Sequence, residues 1–299
     1  ANDNNHPFMY DDATYPYLHL EWYYPTLVAD IYSSDNYPLC YAVQFHSQGK
    51  QMSDWVDEMD RENRANYGLV PTWNIIELYK QLNASFDCTT SNTITHTAIS
   101  APTMYNEAWM AVIHGRKGVS WYDNGSPTYT QCSSDAAGNC YPANPQNHIG
   151  KFTHDIATIT PDVVLAAPTG RTVISNQTTK CNPSGPILGT RVDATVREDS
   201  NNVWVFAARL TDPLCTPTEN SAAALNTQLT VSGLGSMTAT VMNENRQVAV
   251  NNGVITDSFA PWAVHIYQIP KGTAGTPPPV PPPPQPQPTP PTMTPPVVN

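Results

Sequence analysis

The sequence predicts two folded parts and a tail: a parallel α/β sheet over residues 1–169, an antiparallel β-sandwich over 170–270, and an extended Pro-rich segment over 271–299. Three observations lead there. In the first part, continuous apolar runs alternate with helical patterns, as in sheets wound with helices. In the second, short β-branched and aromatic runs follow one another between Asn, Gly, Ser and Pro turns. From Lys271 to Asn299 the composition collapses to Pro, Thr, Gln and Val, with 13 of the chain's 30 prolines between Pro277 and Pro296. Such a stretch has almost nothing to bury and reads as a polyproline-like linker to a further domain.

In the first part the expected strands are PFMYDD (7–12), LVADIYSS (27–34), VPTWNIIE (70–77) and GVSWYD (118–123). Between them, Ser53 is the expected N-cap of a helix over DWVDEMDRENRANY, with acidic residues in its first turn and Gly68 beyond its end. PTMYNEAWMAVIHG places Met104, Ala108 and Val112 on one face and closes on Gly115. HIGKFTHDIATI is a third helix. In the second part RTVISNQ, LGTRVDATVRE, VWVFAARL, TQLTVSGL, MTATVMNENRQVAV, GVITDSFA and AVHIYQI are the expected strands. Asn251-Asn252-Gly253 marks a hairpin, because two positions with φ > 0 favour Asn and Gly.

Composition narrows the function classes. The formal net charge of −11 repels polyanions, so nucleic acid and anionic membrane surfaces are not expected partners. No apolar run is long enough to span a membrane. Only 13% of residues are charged, and the abundance of Asn, Thr, Ser, Tyr and Pro suits a secreted, extracellular protein. Six cysteines, at 40, 88, 132, 140, 181 and 215, include no CxxC pair and no zinc spacing, so disulfides are the better reading. Fifteen connectivities are open; sequential pairing is the expected one, with free thiols the alternative. Asn83, Asn124 and Asn176 begin glycosylation sequons, a short pattern with many chance matches.

In parallel α/β folds functional groups gather where strands end. Those ends are Asp11 and Asp12, Ser33 to Asp35, Glu77, and Trp121 to Asp123. Carboxylates there are often solvated or cap a helix, which is the plainer reading of Asp12, Asp35 and Asp123. Glu77 stands apart because Trp73, Ile75 and Ile76 make its strand strongly apolar and no helix starts directly after it.

The order PFMYDD, ADIYSSDNYP, VPTWNIIELY and NEAWMAVIHGRKGVSWYD resembles the second half of a (β/α)8-barrel retaining glycoside hydrolase of the large TIM-barrel clan. The HGRKGVSWY phrase at 114–122 is the most specific part, and VMNENRQVAVNNGVITDSFAPWAVHIYQI resembles the β-sandwich that follows the barrel in several such enzymes. The resemblance implies an α/β plus all-β protein: a partial barrel (strands five to eight), then the sandwich. It also implies that Glu77, ending strand seven, is the catalytic nucleophile, and that the partner is a carbohydrate. Trp121 would be a stacking platform, with Tyr32, Tyr10, Tyr79, Asp35 and Tyr122 as further substrate contacts. No cofactor or metal is implied.

One departure is decisive. A retaining mechanism needs a second carboxyl, which the clan supplies as Asn-Glu at the end of strand four, and no such pair precedes PFMYDD. Asn106-Glu107 and Asn243-Glu244 fall in a helix and in the sandwich. The expectation is therefore a fragment whose N-terminal half-barrel is missing. The rival is a non-catalytic extracellular module that binds glycan or serves assembly; a half-barrel subunit of a larger complex is the third reading. His46, His96 and His148 fall in expected loops, whereas His114 and His265 are expected to satisfy core hydrogen bonds, and Arg246 to pair with Asp257.

Overall fold

The computed structural model describes residues 9–12, 30–34, 52–65, 71–77, 79–81, 96–98, 101–122, 148–166, 169–180, 189–211 and 223–271. All six cysteines, the residues after Lys271, and Asn83, Asn124 and His46 lie outside them.

Four strands form a parallel sheet: β1 (Met9–Asp12), β2 (Ile31–Ser34), β3 (Thr72–Glu77) and β6 (Gly118–Tyr122). Their order in space, β1-β2-β3-β6, follows the chain without reversal. Right-handed crossovers between strands in such an order put successive connecting helices on one face of the sheet. A short antiparallel pair, β4 (Tyr79–Gln81) and β5 (His96–Ala98), lies between β3 and β6 in the chain. It was not expected from sequence, and it puts His96 in a strand.

Helix α1 (Met52–Ala65) begins one residue before Ser53, so Ser53 sits buried in the first turn and is not the cap. Helix α2 (Ala101–Ile113) ends as expected: Gly115 has φ +86, its N–H donates to Val112 O (3.0 Å), and the Arg116 N–H reaches back to Ala111 O (2.9 Å). That pair of bonds is a Schellman motif, which needs a residue tolerant of the left-handed region. Helix α3 (His148–Ile159) matches its expected span, and a single turn, α4 (Pro161–Val164), follows.

Residues 173–270 supply β7 (Val173–Ser175), β8 (Val192–Glu198), β9 (Asn202–Arg209), β10 (Leu225–Val231), β11 (Met237–Val241), β12 (Arg246–Asn251), β13 (Val254–Phe259) and β14 (Val264–Pro270). Every expected strand run is found, but the sandwich expectation needs correcting. The eight strands make one sheet, in the order β7-β10-β13-β12-β11-β14-β9-β8. It curls until its ends meet: Val192 N–H donates to Gln177 O and Thr190 N–H to Thr179 O, both 2.9 Å. Near-closure hides the sheet's edges, which two open sheets would leave exposed. The Asn252-Gly253 turn has φ +49 and +80, the two-residue hairpin expected.

Two hydrophobic cores result. One fills the curled sheet, with Val205, Leu229, Val241, Val250, Ile255, Phe259 and Tyr267 among its members. The other surrounds α2, which is buried on all sides from Thr103 to His114 and so reads as an interior helix. Trp109 of α2 stacks on Phe206 of β9 (5.4 Å between centroids) and meets Phe152 of α3 edge-on (5.3 Å). Ile76 of β3 and Trp204, Phe206 and Ala208 of β9 belong to this same core, so packing is continuous across residue 170.

Candidate functional site

The register of β3 and β6 sorts the residues at the sheet's carboxyl edge. Asn74 pairs with Val119, Ile75 with Ser120, Ile76 with Trp121 and Glu77 with Tyr122. Side chains alternate along a strand, so positions 74, 76, 119 and 121 share one face and positions 73, 75, 118 and 120 the other. The first face meets α2: Ile76 is buried in the core around that helix, Val119 and Trp121 pack against it, and Ile75 also packs against that core.

Glu77 is thus the last residue of an interior strand, at the sheet's carboxyl edge, at the register position of Tyr122. Deeper in the sheet, the half-buried indole of Trp73 lies across Gly118. A Cβ at 118 would stand 2.4 Å from that ring, so glycine is what admits it. Ser33 pairs with Trp73 and with Asp11; its hydroxyl is buried and has no hydrogen-bond partner among the described residues.

The other expected site residues fall in different places. The Trp121 ring is half-buried and packs edge-on against Phe152 of α3 (6.0 Å), on the helix side of the sheet. Tyr32 is buried, 2% exposed, and pairs with Thr72 on the same helix-side register as Trp121. Tyr10 pairs with Tyr32, and Tyr79 pairs with Ala98 in the β4–β5 ladder. Asp35 lies outside the described residues.

The opposite, amino-terminal edge of the sheet is dominated by ion pairs. Arg116, between α2 and β6, is fully buried against Glu62 of α1. Asn63 of α1 donates to His114 O and accepts from Thr72 Oγ1 (2.8 Å), tying the starts of β3 and β6 to the helix. His114 is held by Asp60 at Nδ1 (2.8 Å) and Asp193 at Nε2 (3.0 Å). Burial alone would lower its pKa, but the two carboxylates overcome this and raise it to about 9. Burial likewise pushes Asp193 up, and His114 and Arg191 more than reverse it, leaving Asp193 below its ordinary value. Arg191 continues the chain of charges to Asp57 (2.8 Å). One edge is therefore braced by paired charges, while the other carries Glu77.

In the curled sheet, Arg246 pairs with Asp257 through two bonds (2.8 and 3.0 Å), as expected, and also with Glu244 (2.6 Å). The His265 ring stands between the Glu244 carboxylate, 2.5 Å from Nδ1, and Ser258 O, 3.1 Å from Nε2. Among the described residues no group of His, Cys, Asp and Glu could hold a metal ion, and no helix is long and apolar enough to cross a membrane.

No protein-family model and no curated protein sequence matches this chain. Solved structures do. A GH30 endoxylanase from Clostridium papyrosolvens is similar at TM-score 0.44 and 13% identity, over 89% of this chain and 56% of that one. AmyP in complex with maltose is similar at TM-score 0.44 and 10% identity, over 82% of this chain and 51% of that one. CldA, described as a cyclomaltodextrin glucanotransferase, is similar at TM-score 0.40 and 12% identity, over 79% and 44%. The chain thus spans about half the length of the solved structures it resembles.

Proposed function

We propose that the chain is the nucleophile-bearing portion of a secreted retaining glycoside hydrolase, with Glu77 as the group that attacks the anomeric carbon of a poly- or oligosaccharide. The observation behind this is the place of Glu77: a carboxylate ending an interior parallel strand, at the carboxyl edge where such folds gather chemistry, in register with Tyr122. The order of the four parallel strands supports it, since consecutive barrel strands run in chain order. In this mechanism the carboxylate displaces the leaving group to form a glycosyl ester, and water then cleaves the ester. Both steps use a second carboxyl roughly 5 Å from the first. That acid/base is supplied from outside the segments named here, by an N-terminal half-barrel, so hydrolysis of ordinary glycosides by residues 1–299 alone is not expected.

A substrate with a strongly activated leaving group removes the need for acid assistance and isolates the first step. The test is to incubate the chain with 2-deoxy-2-fluoro glycosyl fluorides of the gluco and xylo series and to sequence the peptides by mass spectrometry. Fluoride leaves as the Glu77 oxygen bonds to C1, so a fluoroglycosyl adduct on Glu77, missing in Glu77→Gln, is the expected result. A chain that stays unlabelled with every sugar, yet still binds glycan, favours the second reading, a non-catalytic carbohydrate-binding module.

A further inference from the structure

β7 is the end strand of the curled sheet, and the chain leaves it along the seam where the sheet's two ends meet. Residues 172–178 keep a strand's alternation through that exit. Thr172, Ile174, Asn176 and Thr178 are exposed, while Val173, Ser175 and Gln177 between them are half-buried. The segment is tied down: Gln177 Nε2 donates to Asn226 O (3.2 Å), its N–H donates to Ser175 Oγ (3.1 Å), and its carbonyl accepts from Val192 N–H. It carries Asn176-Gln177-Thr178, a glycosylation sequon whose asparagine and threonine both face solvent.

The Asn176 carboxamide has a fixed orientation. Its Oδ1 accepts the Gln228 N–H (2.8 Å), a bond that only the oxygen can make, so Nδ2 is the free end, and it bonds to no described residue. An N-glycosidic bond forms at that nitrogen and leaves the carbonyl oxygen in place, so every bond of the fold survives the modification. Ile174 is a second, independent observation. It is 66% exposed, the more exposed of the two large apolar side chains that face solvent among the described residues. It stands two residues before Asn176 on the same face, about 6.8 Å away along the strand. The first sugars on Nδ2 lie within reach of it and bring C–H ring faces to a side chain that otherwise meets water.

We propose that Asn176 is an acceptor for N-linked glycosylation and that its glycan covers Ile174 beside the seam of the curled sheet. The proposal rests on the secreted reading given above and not on Glu77. The co-reactant is a lipid-diphosphate-linked oligosaccharide, the donor used in eukaryotic secretory compartments. The Asn176 nitrogen bonds to the anomeric carbon of the first sugar as the bond from that carbon to the diphosphate oxygen breaks. The lipid diphosphate leaves with the electron pair, and one amide proton is released. A bulky, hydrated group at this place also shields the end strand, which is closed onto the far end of the sheet by the bonds from Val192 to Gln177 and from Thr190 to Thr179.

The test is to express the full 299-residue chain behind an added secretion signal in a eukaryotic cell. N-glycans are then released by amidase in heavy-oxygen water, and position 176 is read by mass spectrometry in secreted and cell-retained protein alike. The heavy-oxygen mark is expected at Asn176; Thr178→Ala should lose it, and Thr178→Ser, which keeps the hydroxyl of the sequon, should retain it. On the purified chain, binding of an apolar fluorescent dye should rise in Thr178→Ala and return to the parent level when Ile174→Ser is added. Both positions are exposed, so the variants keep the fold, and a thermal melt checks this. An Asn176 peptide that is bare in every fraction overturns the proposal. A glycosylated Asn176 whose loss leaves dye binding at the parent level overturns the cover over Ile174. Because the signal is supplied, a bare Asn176 counts against the acceptor and not against secretion, and Glu77→Gln should be glycosylated as the parent is.

Discussion

His114 sits between Asp60 and Asp193 with 8% of its side chain exposed, and in its protonated form Nδ1–H donates to Asp60 and Nε2–H to Asp193. Its pKa rises on folding, from an ordinary 6.5 to about 9. A raised pKa means that folding favours the protonated form, so the stabilisation is complete below pH 6.5 and is lost as pH climbs to about 9. The shift corresponds to on the order of 3 kcal/mol. Melting temperature is therefore expected to fall by several degrees between pH 6.5 and 9, and His114→Gln should flatten that slope while lowering the plateau. A melting temperature that holds steady across this window in the parent chain would show that the imidazole is neutral in the fold. The same residue shows what sequence reading captures. A histidine followed by Gly115 at a helix end is legible as a core hydrogen-bonding group, but its partners lie 54 and 79 residues away and only the fold brings them to it.

At the scale of elements, local rules served well where the chain follows them and failed where tertiary contacts decide. The termination of α2 rests on Gly115, whose φ of +86 an L-residue adopts at a cost of roughly 1–2 kcal/mol. A Cβ there would also approach Asn63 Nδ2 to 3.1 Å, the side chain that bonds the neighbouring carbonyl. Gly115→Ala should destabilise by about 1–3 kcal/mol in urea unfolding. A loss no larger than that of Ala at an exposed helical site would mean that the Schellman turn relaxes. The four parallel strands, three helices and all the strands of 173–270 were legible because each has a strong period or a sharp turn signal. β4 and β5 were not, since YKQ and HTA have neither. The curl of the eight strands into one sheet was also hidden, because sandwich and near-barrel share the same alternation and differ in register, set by contacts such as Val192 to Gln177. Among site residues, the position of Glu77 was readable from its apolar strand. The side of the sheet taken by Trp121 required its pairing with Ile76.

For the whole molecule, one hydrophobic core joins residues on both sides of position 170. Helix α2 belongs to the first part by sequence, yet its Asn106 donates to Arg209 O (3.0 Å) and its Trp109 stacks on Phe206. Unfolding should therefore be a single transition, seen alike by near- and far-ultraviolet circular dichroism. Trp109→Ala should lower stability by about 3–5 kcal/mol without splitting it. Two resolved transitions, with the mutation moving one alone, would mean that the parts are thermodynamically separate.

The central place of α2 also has a consequence in time. A chain is made from its N-terminus, and Asn106 precedes its partner Arg209 by 103 residues. At roughly 5–20 residues per second, synthesis delivers this helix roughly 5–20 s before the strand that covers it. During that interval an apolar segment with two aromatic side chains, Tyr105 and Trp109, has emerged without its final cover. The nascent chain is most exposed to proteases and to association with its neighbours then, and a translational pause between residues 113 and 202 would lengthen that window.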